Sequence, residues 1–184
     1  DYDVQHRFTG SFTYDIPTLE GLPRLLGEGW AVNGILTLQT GRPVDVYYGD
    51  DVSGFYEYND RPNVIGDISR IEFRPGQPID PDVLDTIFEM PAFGTFGSAG
   101  RNILQEPGYQ NFDFSVTKRT EISDRFTLQF RAEFFNIANH PNFARPRGDL
   151  FSDNFGAQTD SADRGNPLGS GGPRRIQFAL KLIF

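Results

Sequence analysis

The chain contains no cysteine, which excludes disulfides, thiolate metal sites and a cysteine nucleophile. Histidine is almost as scarce: His6 and His140 are the only two, too few and too isolated for a zinc site. His140 stands in "NHPNF", where proline and asparagine specify a turn at a loop entry. Basic charge is short as well, with 17 Lys and Arg against 25 Asp and Glu. A net charge of −8 supplies no counterion-releasing face, so nucleic acid is not an expected partner. There is no apolar run of about eighteen residues and hence no membrane-spanning helix, and the opening "DYDVQHRF" carries no signal-peptide pattern. A membrane β-barrel leaves no trace in that test, because its strands alternate instead of running apolar. Nor is there a catalytic constellation: "GSGGP" at Gly169 lacks the strand before it and the helix after it that a phosphate loop needs, and Glu133, two residues from Arg131, has no second acid at a fixed distance for paired-carboxylate catalysis. The expectation is a protein that is not an enzyme and holds no cofactor or resident metal.

What the chain does have is alternation. In its last eleven residues, "RRIQFALKLIF", Ile176, Phe178, Leu180, Leu182 and Phe184 occupy every even position, while Arg175, Gln177 and Lys181 stand among the odd ones. Period two means a β-strand with one apolar and one polar face. Four more stretches alternate in the same way, predicting strands at about Val4 to Ile16, Gly29 to Tyr48, Tyr109 to Thr120 and Arg125 to Ile137, with Arg174 to Phe184 as the fifth. Asp113, Arg131, Glu133 and Lys181 fall on the polar face, and Arg131 and Glu133, two residues apart, are placed to join a charged ladder across strands.

The connections predicted between these strands are 12, 60, 4 and 36 residues long. Short and long alternate, as in an up-and-down barrel with one end in a confined periplasm and the other in open medium. Eleven residues at about 3.4 Å each, tilted about 45°, rise on the order of 26 Å, which matches the roughly 25 Å apolar band of such a barrel. Aromatics sit near strand ends, with Tyr14, Trp30 and Phe184 on the short-turn side and Tyr47, Tyr48, Tyr109 and Phe134 on the long-loop side, as headgroup-level belts do. The competing reading is a soluble antiparallel sandwich with these apolar residues in its core. Five strands cannot close a barrel, and an open sheet in lipid leaves two unpaired edges, so the chain is expected to be the C-terminal end of a larger protein.

The longest connection carries most of the charge excess: from Gly49 to Gly108 there are eleven acids and four arginines, a balance of −7. Within it, "GDDVSGFYEYND" interleaves Asp50, Asp51, Glu57 and Asp60 with Tyr56 and Tyr58. Hard oxygen ligands suit calcium, and tyrosine rings suit a sugar or other flat ligand, although the spacing is not that of an EF-hand and a solvated, mobile loop is the plainer expectation. Its charge disfavours anionic ligands at long range.

The stretches "GWAVNGILTLQTGRPV", "GTFGSAGRNILQEPGYQNFDFSVTKRTEI", "LQFRAEFFNIANHPNF" and "RRIQFALKLIF", together with the opening "DVQHRFTGSFTYDIP", resemble in order and spacing the C-terminal barrel strands of TonB-dependent outer-membrane receptors. The closest kind is the Oar-like group, which carries a carboxypeptidase-regulatory-like domain at its N-terminus. The acidic half of the long connection, about Gly49 to Met90, has no counterpart. The resemblance implies an all-β, antiparallel, up-and-down transmembrane barrel of about 22 strands with an N-terminal plug, of which these are the last five, with long extracellular loops. It implies import of a bulky, scarce nutrient as the unknown small ligand, and energy from the TonB complex acting through the plug. It places the protein in the outer membrane of a Gram-negative-type bacterium. The terminal strand resembles the signal read by the barrel-assembly machinery, with Ile176, Phe178, Leu180, Leu182 and Phe184 turned to lipid and the charged residues Asp113, Arg131, Glu133 and Lys181 to the lumen. The alternative function is an extracellular β-rich binding, adhesion or surface-assembly module without active transport.

Overall fold

The computed structural model describes residues 3–162 and 171–184; of the "GSGGP" stretch, Gly169 and Ser170 lie outside the described residues, as do Asp1 and Tyr2. In chain order the strands are β1 (Arg7–Asp15), β2 (Trp30–Gln39), β3 (Pro43–Val44), β4 (Asn63–Val64), β5 (Phe88–Glu89), β6 (Leu104–Gln105), β7 (Tyr109–Ser123), β8 (Phe126–Phe135) and β9 (Arg175–Ile183). Short helices α1 (Arg24–Gly27) and α2 (Pro81–Asp85) and one 3₁₀ turn (Ile68–Arg70) complete the set. The chain divides into two units.

One unit, residues 7–39, 109–142 and 171–184, is a single antiparallel sheet in the order β1-β2-β7-β8-β9. Its pairing register makes the cross-strand rows in the middle of the sheet uniform in character. Tyr14, Val32, Val116, Ala132 and Phe178 form one row, and Phe12, Gly34, Phe114, Phe134 and Ile176 another. On the opposite face Thr13, Asn33, Ser115, Glu133 and Gln177 stand in line. A shift of one residue in any strand would mix the two faces, so the alternation fixes the register. Gly34 lies where a Cβ would collide with the Phe12 ring, which fills the gap in the apolar row.

The apolar face is the exposed one. Phe178 and Leu180 are 67% and 69% exposed, and among the described residues Ala132 is the only buried hydrophobic residue of this unit. A soluble sandwich would have buried these side chains at about 1.5–3 kcal/mol each, so its expectation fails here. The sheet is not closed: β1 and β9 are its edges.

The other unit, residues 3–6, 40–108 and 143–162, has a core of its own built from Val44, Val46, Ile79, Ile87, Phe88, Leu104 and Phe155. β3 pairs with β6, and β4 with β5. Asp80 caps α2 by accepting from the Asp82 amide at 3.0 Å with Pro81 in the first turn, and Asp67 caps the 3₁₀ turn by accepting from Ser69 N at 2.9 Å.

Two sequence expectations are corrected by this unit. The strand predicted to run from Gly29 to Tyr48 leaves the sheet at Gln39, because Gly41 packs its backbone on the Glu106 carbonyl and Pro43 has no amide to give a longer ladder. The alternation of Val44, Val46 and Tyr48 is real, but those residues are 1%, 0% and 7% exposed in the core of this second unit. The long acidic connection, predicted as Gly49 to Gly108 and as solvated and mobile, begins at Thr40 and is folded. At its root Arg42 pairs with the buried Glu106 at 2.6 Å. Smaller differences are a first strand starting at Arg7 instead of Val4, a third extending to Ser123 past an irregularity after Glu121, and a fourth ending at Phe135.

Candidate functional site

Three parts of the molecule carry polar or aromatic groups beyond what folding needs: the polar face of the sheet, its two ends, and the acidic loop.

On the polar face the Arg131 Nη2 and Glu133 Oε1 atoms are 2.9 Å apart, with side chains 47% and 22% exposed. They pair along β8 instead of building a ladder across strands. Asn33 donates to the Ser115 hydroxyl at 3.1 Å, and Lys181 lies opposite Gln129. Thr13, Asp15, Thr117, Arg119, Gln129 and Arg131 stand in a concavity that Ile16, Trp30 and Ala31 also line. Its exposed charges remain hydrated, so the surface suits water or a polar partner.

Asp113 does something the sequence did not suggest. Its carboxylate accepts from the Asn136 amide at 2.9 Å, where β8 ends. Asn136 is 2% exposed and adopts φ 48°, a left-handed conformation that asparagine tolerates. Its side-chain amide donates to the carbonyls of His140 at 2.8 Å and Gly172 at 2.7 Å and accepts from His140 N at 3.1 Å. Nearby, Asn142 exchanges two 2.8 Å bonds with the Gln110 backbone, and Asn139 accepts from Arg174 N at 3.1 Å. The "NIANHPN" stretch therefore clamps the ends of β7, β8 and β9. The turn signal of "NHPNF" was legible; the tertiary partners were not.

Asn136→Gly should keep the backbone conformation but lose the clamp. With the buried Gly172 carbonyl left unpaired and the His140 carbonyl kept only by Asn142, we expect a cost of about 1–3 kcal/mol, read as a lower urea midpoint for the full-length protein in lipid. An unchanged midpoint would show that the clamp contributes nothing.

At the opposite end Lys118 breaks the alternation. It lies on the apolar face, 9% exposed, and is paired across the ladder with Trp30. Its ammonium sits 5.4 Å from the Trp30 ring centroid and donates to the Glu28 carbonyl. This is a lysine whose stem lies along apolar surface while its head reaches the sheet end, as amphipathic side chains do at a membrane interface. The charge out of pattern was the available signal.

In the acidic loop three of the candidate carboxylates, Asp50, Asp51 and Asp60, accept from backbone amides. Asp51 accepts from the amides of Gly54 at 2.7 Å and Tyr56 at 2.9 Å, Asp60 is 5% exposed and accepts from Ser53 N at 2.7 Å, and Asp50 accepts from the Asp51 amide at 2.8 Å. No group of three or more acidic or histidine side chains is gathered for a metal among the described residues. Tyr56, at φ 61°, is held outwards at 86% exposure. Beside it Phe55 stacks on Phe96 with centroids 5.4 Å apart, Phe93 is 82% and Tyr58 64% exposed, and Glu57 is exposed between the tyrosines. Two adjacent loops thus present five rings to solvent. Burial pushes the Tyr48 phenol above its usual pKa, helped by the charges of Asp85 and Glu89, so the ring stays neutral against Phe151. Hydrogen bonds from Ser69 hold the Asp67 carboxyl below the usual carboxylate range.

An antiparallel sheet with an exposed apolar face, a polar opposite face, and short connections at one end and long ones at the other defines a membrane β-barrel wall. The chain belongs to the outer membrane beta barrel domain family, whose model matches residues 1–177, and the protein resides in the outer membrane. No curated protein and no solved structure matches the chain.

Proposed function

We propose that this chain is the C-terminal wall of a TonB-dependent outer-membrane transporter of the Oar-like group, importing a bulky, scarce nutrient. The observation that carries this reading is the second unit. Barrel loops of ordinary length have no core of their own, whereas here two long connections fold together and display five aromatic rings for ligand capture. On the family's general plan the long connections face the medium and the short ones the periplasm. Ile176, Phe178, Leu180, Leu182 and Phe184 then face lipid, and Asp113, Arg131, Glu133 and Lys181 line the lumen. The partners are outer-membrane lipid, the barrel-assembly machinery acting on β9, and the TonB complex acting through a plug; the chain performs no chemistry on its ligand. The coding sequence upstream tests this: a plug with a TonB box supports transport, while a soluble repeat array supports surface binding or assembly without it.

The ring platform lies in an acidic segment, so its ligand is neutral or cationic. With Asp50→Asn and Glu57→Gln combined, binding of a dye-labelled lysine-rich peptide to cells should fall several-fold, with an aspartate-rich peptide unable to bind before or after. Equal binding of the two peptides to the unaltered protein would refute the charge preference.

A further inference from the structure

The connection from β1 to β2, residues 16–29, is long for a short-side turn, and the other such turn, between β7 and β8, is only Asp124 and Arg125. The longer one is also unusually apolar. Leu19, Leu22, Leu25 and Leu26 are 43%, 51%, 63% and 54% exposed. A turn that merely reversed the chain in water would be polar, with Gly, Asn or Asp in place of leucines.

Its backbone is closed on itself at the C-terminal half. Leu19 N donates to the Gly27 carbonyl at 2.9 Å, Leu26 N and Gly27 N to the Pro23 carbonyl at 2.8 and 2.9 Å, and Glu28 N to the Arg24 carbonyl at 3.3 Å. The remaining amides of the turn need water or headgroup oxygens, so the turn suits the interfacial layer and not the hydrocarbon core. The turn is also fastened from the apolar side of the sheet. Trp30 donates its indole N–H to the Leu26 carbonyl at 2.7 Å, and Lys118 its ammonium to the Glu28 carbonyl. Both donors stand in one cross-strand pair of the apolar face. That tether makes the leucines a continuation of the apolar face past the strand ends. Arg24 pairs with Glu28 at 2.8 Å, so the turn's one cation is neutralised.

We propose that residues 19–28 form a membrane-interface anchor. Leu22, Leu25 and Leu26 enter the headgroup and acyl boundary of the periplasmic leaflet, with Trp30 and Lys118 as the hinge between turn and barrel wall. The occupant of this apolar patch is lipid, and the inference rests on the reading that the even-numbered face of the sheet meets lipid.

The test uses the full-length protein in outer-membrane vesicles, with single cysteines carrying an environment-sensitive fluorophore at Leu25, Leu26, Phe178 or Asp124 and nitroxide lipids as quenchers. Two turn sites guard against a label that disturbs one of them. The Phe178 label should be quenched best by a nitroxide deep in the acyl chain. The Leu25 and Leu26 labels should be quenched several-fold more by a nitroxide near the headgroup than by the deep one, and the Asp124 label by neither. If Phe178 responds as stated while both leucine sites behave like Asp124, the anchor is wrong and the lipid-facing sheet stands. If the leucine labels are shielded from lipid quencher and from aqueous iodide alike, a protein covers them and the anchor is again wrong. If Phe178 itself is not quenched by lipid, the underlying reading falls and takes the anchor with it.

Discussion

Phe178→Arg is expected to destabilise the full-length protein in lipid by about 2–4 kcal/mol, the cost of a cation on a barrel's lipid face near mid-membrane. Phe178 lies in the row with Tyr14, Val32, Val116 and Ala132, midway along the sheet, and its ring stacks on Phe130 with centroids 6.1 Å apart. The same charge one residue away, in Gln177→Arg, should have little effect, because that position opposes Glu133 on the hydrated face. The contrast between neighbours gives the experiment its force. In a water-soluble protein an arginine at a position already 67% exposed would be nearly neutral, so both substitutions would be harmless. Heat-modified gel mobility and urea midpoints of both variants in lipid decide the matter, and equal behaviour would remove the lipid-facing assignment of β9.

Phe155→Ala is expected to be still more damaging, at about 3–5 kcal/mol, but only to the unit outside the sheet. Phe155 is 1% exposed, packs edge-on against Phe88 with centroids 6.5 Å apart, and its carbonyl accepts from Ile79 N at 2.9 Å. Removing the ring leaves a cavity where residues 79–88 meet residues 150–157. The expected result is rapid proteolytic cleavage within residues 40–108 on intact cells while the barrel keeps its heat-modifiable mobility. Phe155→Leu, which retains most of the volume, should remain largely resistant. Equal resistance of the alanine variant and the unaltered protein would mean that this core does not hold the unit together.

The strands were legible because a wall between lipid and water leaves no freedom at either face. In β8, Phe126, Leu128, Phe130, Ala132 and Phe134 can only share one side, and the pattern survives without any knowledge of neighbours. The same signal misled at Val44, Val46 and Tyr48, since period two says that a segment is extended but not which partner it joins. Leu104 and Phe155 supply that partner, from far along the chain. The folded state of the acidic connection was illegible for a related reason. Ile79, Ile87 and Phe88 have no period of their own, and their burial depends wholly on distant contacts. The amide bonds of Asp51 and Asp60 were illegible because free carboxylates and carboxylates bonded to amides have the same letters. Asn136 illustrates the limit from the other side: its turn could be read, whereas its bonds to Asp113 and Gly172 join segments that sequence order keeps apart.

The split composition of the second unit sets an order of events during biogenesis. Val44 and Val46 are made before β7, but Phe155, which completes their core, follows β8. Until the intervening hairpin has been synthesised, residues 40–108 hold every core residue but Phe155, so their apolar side chains stay more open to misassembly and to proteases. A barrel stalled after β7 would therefore carry residues 40–108 without the Phe155 ring that closes their core.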